Sequence, residues 1–206
     1  VDDVAAIAAL SEPTRRRLYA HVVRRPDPVT RDEVALALRM PRATVAFHLD
    51  KLVAEGLLEV TFARRTGRAG PGAGRPAKLY RRAGREVSVS LPERRYELAA
   101  HVLAAALESG RAPAERARAV GAELGAGAVD ARSLLERHGF EPDGDGAGLV
   151  LRNCPFHALA QAHRELVCGM TLGLVEGMLA GLGEDGLVAC PDPEPGGCCV
   201  RVHAPS

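Results

Sequence analysis

The residues of this chain best suited to chemistry are five cysteines, Cys154, Cys168, Cys190, Cys198 and Cys199, all in its second half. Thiolates are soft donors that match zinc and iron–sulfur clusters. Their spacing is not that of a zinc ribbon, where two to four residues separate the cysteines of each knuckle. Nor is it the compact run of a ferredoxin. A site built from these thiols has to be assembled by the fold from three places: a helix mouth at Cys154-Pro155, a helix start near Cys168 and a terminal hairpin. Cys198 and Cys199 are adjacent on an expected strand, where neighbouring side chains point to opposite faces, so at most one is expected to join a given site. Free cysteines are also often simply buried. In a reducing compartment, such a group favours metal binding or redox sensing over structural disulfides. Asp143-Gly144-Asp145-Gly146 has a trace of calcium-loop spacing but lacks the later acidic ligand, so a hairpin turn is expected there.

The second chemistry is charge. The 206 residues carry 27 Lys+Arg against 26 Asp+Glu, a formal net charge of +1. Residues 1–100 hold 19 basic and 12 acidic residues, net +7, whereas residues 101–206 hold 8 and 14, net −6. Such asymmetry between halves points to a polyanion as partner of the basic half. The densest basic stretch, RRTGRAGPGAGRPAK, contains Arg64, Arg65, Arg68, Arg75 and Lys78 among Gly and Pro. It is neither a P-loop nor a dinucleotide fingerprint. As a flexible hairpin tip it suits the DNA backbone or an adjacent minor groove.

Composition excludes other classes. Apolar residues make up 47% of the chain, enough to bury a core. Aromatic residues are 3%, with no Trp, which argues against a stacking platform for single strands. No apolar run reaches the roughly 20 residues of a membrane span. The acidic start VDDVAAIAAL lacks a signal-peptide layout, so a cytoplasmic protein with no membrane partner is expected. With no nucleophile elbow, no HExxH and no deaminase signature, an enzyme is not expected.

The elements that must position these residues are legible. Ser11-Glu12-Pro13 reads as an N-cap, an acidic first turn and a Pro near the first helical position, the start of a helix over Pro13–Arg24. Thr30-Arg31-Asp32-Glu33 fits a capping box ahead of a helix over Arg31–Leu38, with Val34, Leu36 and Leu38 available to the core. After the turn Arg39-Met40-Pro41, a third helix runs to Ala54 and stops at Gly56. Short helix, tight turn and longer helix form a helix-turn-helix. On the third helix Val45, Leu49, Leu52 and Val53 make the apolar stripe. Arg42, Thr44, Phe47, His48 and Lys51 remain for other faces. Arg42 and Lys51 suit phosphate or guanine, Thr44 a base or phosphate, and Phe47 a thymine methyl or the underside of the following hairpin. His48 suits packing or capping as well as readout. Strands are expected over Leu57–Ala63 and Pro76–Arg82, helices over Glu93–Glu108, Pro113–Leu124 and Val129–His138, and strands over Leu149–Leu151, Leu187–Cys190 and Cys198–His203. A helix over Val167–Leu182 completes the reading.

The phrases SEPTRRRLYAHV, PRATVAFHLDKLVAEGLLEV and GRPAKLY resemble the ArsR-like winged-helix transcription regulators across about Ala8–Arg82. The cysteine pair that arsenic-sensing members carry at the recognition helix is absent, since the first Cys is Cys154. The segment LLERHGFEP, LRNCPF, ELVCGM, GGCCVRV is similar to the C-terminal sensor domain of SufR-type iron–sulfur regulators, and also to vinyl-reductase-like ligand-binding domains. The first resemblance implies three cluster ligands, which fall on Cys154, Cys168 and Cys198, with Cys199 the alternative third. Cys190, Glu165, His157 and His163 are candidates for a fourth position. The resulting expectation is an α+β protein with three parts: a winged helix-turn-helix over 1–90, dimerisation helices over 91–128 and a small α/β sensor domain over 129–206. It implies a homodimeric repressor on a palindromic operator in double-stranded DNA, holding an iron–sulfur cluster, [4Fe–4S] by resemblance. Zinc, a thiol-redox switch or an organic ligand in the C-terminal domain are the alternatives.

Overall fold

The structure is a computed structural model that describes residues 2–63, 76–145, 148–183, 186–192 and 197–204. The chain divides into two compact units, Val1–Val89 and Ser90–Ser206.

The first unit orders its elements as α1 (Asp3–Ala9), α2 (Pro13–Val23), β1 (Val29–Thr30), α3 (Arg31–Leu38), α4 (Arg42–Ala54), β2 (Leu58–Ala63) and β3 (Ala77–Arg82). Glu12, rather than Ser11, caps α2. With Pro13 at the first helical position, the carboxylate of the preceding residue reaches the N–H groups of Thr14 at 2.9 Å and Arg15 at 2.6 Å. At α3 the capping box forms: Thr30 Oγ1 accepts from the Glu33 N–H at 3.2 Å, and Glu33 Oε2 accepts from the Thr30 N–H at 2.8 Å. Arg39 makes the turn to α4 in the left-handed region, with φ 52°, and Pro41 is extended. Gly56, at φ 68°, follows α4 and lets the Leu57 N–H bond back to the Leu52 carbonyl at 2.9 Å.

Val45, Leu49 and Leu52 of α4 share one face by their three- and four-residue spacing, and all are fully buried with Leu18, Val34 and Tyr80. Leu36 does not join this core. It is 82% exposed, because two residues beyond Val34 lies the far side of the same helix. The sheet order is β1-β3-β2, antiparallel, with Val29 opposite Tyr80 and Val60 opposite the same Tyr. The two-residue β1 is too short to announce itself by alternation.

The second unit contains α5 (Tyr96–Ser109), α6 (Pro113–Gly125), α7 (Ala131–Arg137), β4 (Pro142–Asp145), β5 (Gly148–Leu151), α8 (His157–Ala162), α9 (Arg164–Leu182), β6 (Val188–Pro191) and β7 (Val200–His203). Its strands form one antiparallel sheet in the order β4-β5-β7-β6. Of the expected hairpin turn Asp143–Gly146, Asp143–Asp145 instead belong to a strand, with Asp143 opposite Val150, and Gly146 lies outside the described residues. Helices α5 and α6 share their core with the cysteine-bearing elements: Ala99, Val102 and Ala117 belong to the same buried cluster as Leu134, Met170 and Val202.

Two helices meet here without an intervening layer of side chains. A Cβ at Gly173, Gly177 or Gly181 of α9 would strike the carbonyl oxygen of Ala114, Arg118 or Ala122 on α6. A Cβ at Gly121 or Gly125 of α6 would strike the carbonyl of Leu174 or Met178 on α9. Arg118 and Glu176 pair across the same seam, with Nε to Oε2 at 3.0 Å. By length and composition α9 is also apolar enough to cross a membrane, with a mean hydropathy of 1.5. Half of that apolar window is buried in the unit itself.

Candidate nucleic-acid interface and thiol cluster

Most residues expected to meet DNA lie on or beside α4. Arg42 is exposed at its first turn, and Nη2 donates to Asp32 Oδ2 of α3 at 2.8 Å. Thr44 is half-buried and Lys51 exposed. Phe47 is 62% exposed and stands edge-on to the ring of His48, with centroids 5.2 Å apart. His48 itself is turned inward, with Nδ1 3.7 Å from Glu12 Oε2, so it sits against the start of α2. Lys78, on β3, is ion-paired with Asp50 of α4 and lies 5.1 Å from the centre of the Tyr80 ring. The Tyr80 hydroxyl also donates to Asp50 Oδ1, at 3.0 Å. Burial pushes the Asp50 carboxyl up, but hydrogen bonds from Lys78 and Tyr80 outweigh it and hold the group below its ordinary range. Arg65, Arg68 and Arg75 lie outside the described residues.

Two of the expected phosphate-binding cations, Arg42 and Lys78, therefore already have a carboxylate partner. A phosphate must compete with Asp32 or Asp50 for each of them, which lowers the net charge gained per contact. Reading the cations alone missed these acids. The signal was present: Asp50 interrupts the polar side of an otherwise cationic helix, and Asp32 belongs to the capping segment.

The cysteines come together in the second unit. Cys154 precedes α8 and is 5% exposed, Cys198 precedes β7 and is 3% exposed, while Cys168 in α9 and Cys199 are half-buried. They follow one another in a string, each perturbing the ionisation of the next: Cys154 with Cys198, Cys198 with Cys199 and Cys199 with Cys168. Cys190, on β6 opposite Arg201, is not part of the string. Both Cys198 and Cys199 take part, contrary to the expectation from strand alternation. The strand begins only at Val200, and the two residues lie in the bend before it, where the alternating rule does not act.

The string has alternating character. Cys154 is lowered below its ordinary value, first by the bond from Cys198, against a desolvation that raises it; the Phe156 N–H lowers it further. Cys199 is pulled down to about 6, again first by Cys198, with Cys168 adding to the effect. Cys168 is pushed up to about 12 by desolvation and then by its bond to Cys199. Cys198 is raised by the two bonds it gives to Cys154 and Cys199.

As donors, four clustered thiols suit an iron–sulfur cluster or zinc. Among the described residues, however, no group of three or more His, Cys, Asp or Glu side chains has the placement of metal ligands. Glu165, His157 and His163 are all exposed.

Residues 10–61, from the end of α1 to within β2, match the family model of a helix-turn-helix domain. No curated protein matches the chain. The match and the arrangement of α3 and α4 define a helix-turn-helix domain over residues 10–61, the kind of domain by which transcriptional regulators bind DNA.

Proposed function

We propose that this regulator is a homodimeric winged-helix repressor whose C-terminal unit holds an iron–sulfur cluster and reports redox, nitric oxide or iron status. The observation that carries the reading is the thiol string, which gathers four of the five cysteines from three separate segments. Cys154, Cys168 and Cys198 would hold the cluster, and Cys199 becomes the nearest candidate for a fourth position. The cluster supplies a redox-active centre that oxidants and nitric oxide can alter. The chain supplies the soft donors, a buried setting, and the guanidinium of Arg94 beside Cys154 to favour thiolate.

On DNA, α4 enters the major groove of each half of a palindromic operator. Arg42, Thr44, Lys51 and Phe47 face base edges and phosphates. Arg65, Arg68 and Arg75, which follow β2 in sequence, and Lys78 of β3 hold the backbone. Dimerisation is supported by α5, which leaves Leu107 85% exposed and forms with α8 an apolar groove lined by Tyr96, Leu103 and Leu159. The proposed role is regulatory rather than enzymatic.

Protein purified without air is expected to be brown and to contain iron and acid-labile sulfide, and Cys154→Ser is expected to lose both. Colourless, iron-free protein whose DNA binding is indifferent to Cys154→Ser excludes the cluster. A second reading, a zinc site or a thiol–disulfide switch, is favoured by the pairwise linkage of the sulfurs and by the lowered Cys199 beside Cys198. Metal analysis of the same sample separates the two: zinc in place of iron, or no metal with redox-dependent DNA binding.

A further inference from the structure

The segment that leads from residue 89 into the second unit is fastened to the loop carrying Cys154. Arg94 Nη1 donates to Asn153 Oδ1 and, at 3.2 Å, to the Cys154 carbonyl. Asn153 is 6% exposed, and its Nδ2 donates to the carbonyls of Glu93 at 3.0 Å and Gly139 at 2.6 Å. The Arg95 N–H donates to the Pro155 carbonyl at 3.0 Å. A buried amide engaged at both ends is a fixed bracket, since turning it leaves several buried polar groups unpaired. Cys154 follows Asn153 in the chain, and its sulfur is the first in the thiol string. One short loop thus holds the thiols by Cys154 and the connector by Asn153.

We propose that Asn153, fixed by Arg94, is the positioning residue that passes the bonding state of Cys154 to the connector between the two units. The proposal rests on the reading that the thiol cluster regulates DNA binding. When the Cys154 sulfur takes a covalent partner, its loop must shift. A disulfide to Cys198, for example, needs an S–S distance of about 2.05 Å, well inside hydrogen-bonding separation. Asn153 shifts with Cys154, and Glu93 and Arg94 follow because they are bonded to its amide.

The test uses the full chain, freed of metal with a chelator and reduced, and then treated with diamide. This diazene takes one hydrogen from each of two thiols, leaving a disulfide and the corresponding hydrazine. DNA affinity is measured on a duplex selected from a random pool by the wild-type protein, alongside amide exchange at Arg95 and a count of free thiols. In the wild type, diamide is expected to change affinity at least tenfold and to speed exchange at Arg95. In Asn153→Ala and in Arg94→Ala the thiols are lost equally, but affinity changes less than twofold. Arg94→Lys, which keeps a cationic donor for Asn153 Oδ1, restores part of the response. Because Arg94 is half-buried, its variants keep the test alive if Asn153→Ala does not fold. Variants that respond as fully as the wild type overturn the bracket alone. Wild-type binding indifferent to diamide overturns thiol sensing, and the bracket with it.

Discussion

Glu12 holds the start of α2, and its hold is pH-dependent. Desolvation raises its pKa, but the N–H groups of Thr14 and Arg15 outweigh this and bring it down to about 2 from the usual 4.5. The depressed carboxyl stabilises the fold above pH 4.5 and loses that contribution as pH falls through about 2. Glu12→Gln should therefore flatten the acid limb of the first unit's stability curve between these values, as followed by helical circular dichroism. Its loss should also free His48 from the carboxylate that faces its ring. At this scale the sequence was a partial guide. It placed the helix start correctly but assigned the cap to Ser11, because Ser is the commoner cap, although the Glu12 bonds to the Thr14 and Arg15 N–H groups are local. Asn153 was less legible still: its partners are backbone carbonyls 14 and 60 residues away, which no local pattern encodes.

Among the elements, α6 and α9 are the pair most sensitive to volume. Gly177→Ala would place a methyl against the Arg118 carbonyl with no room to move it, and should destabilise the second unit by about 3 kcal/mol, at the upper end of overpacking costs. Gly169 lies on the same helix, and among the described residues nothing stands within 4 Å of a methyl added there. Gly169→Ala should be stabilising by up to about 1 kcal/mol through helix propensity. Urea melts of the two variants decide between a packing role and mere flexibility. The helices themselves were readable from period, caps and breaks. Strand ends were not, and the error mattered. Moving the start of β7 by two residues, from Cys198 to Val200, changes Cys198 and Cys199 from opposite-facing to neighbouring thiols.

The whole molecule keeps two separate cores. One runs from Ala6 to Tyr80 and the other from Ala99 to Val202, with no buried residue in common. Residues 1–89 alone are therefore expected to unfold cooperatively and to bind duplex DNA with a salt slope of about half that of the proposed full-chain dimer. Lys78→Ala should reduce that slope by less than one per protomer, because Asp50 already neutralises part of the Lys78 charge. A fragment that melts without a cooperative transition would show that the first core needs the second unit. The partition of charge into +7 and −6 halves foreshadowed this division. The grouping of 91–128 with the cysteine-bearing elements did not show in composition, because it depends on which helices share a core.

The backbone-to-backbone seam of α6 and α9 also bears on how this chain can drift through sequence space. Under the proposed reading, replacing a half-buried cysteine such as Cys168 alters the response more than the fold. Replacing Gly121, Gly173 or Gly177 removes the contact on which the second unit is built. The four-residue glycine period of α9, with its answering glycines on α6, should therefore outlast the thiols in diverged relatives. It would mark kindred domains that have exchanged one signal for another.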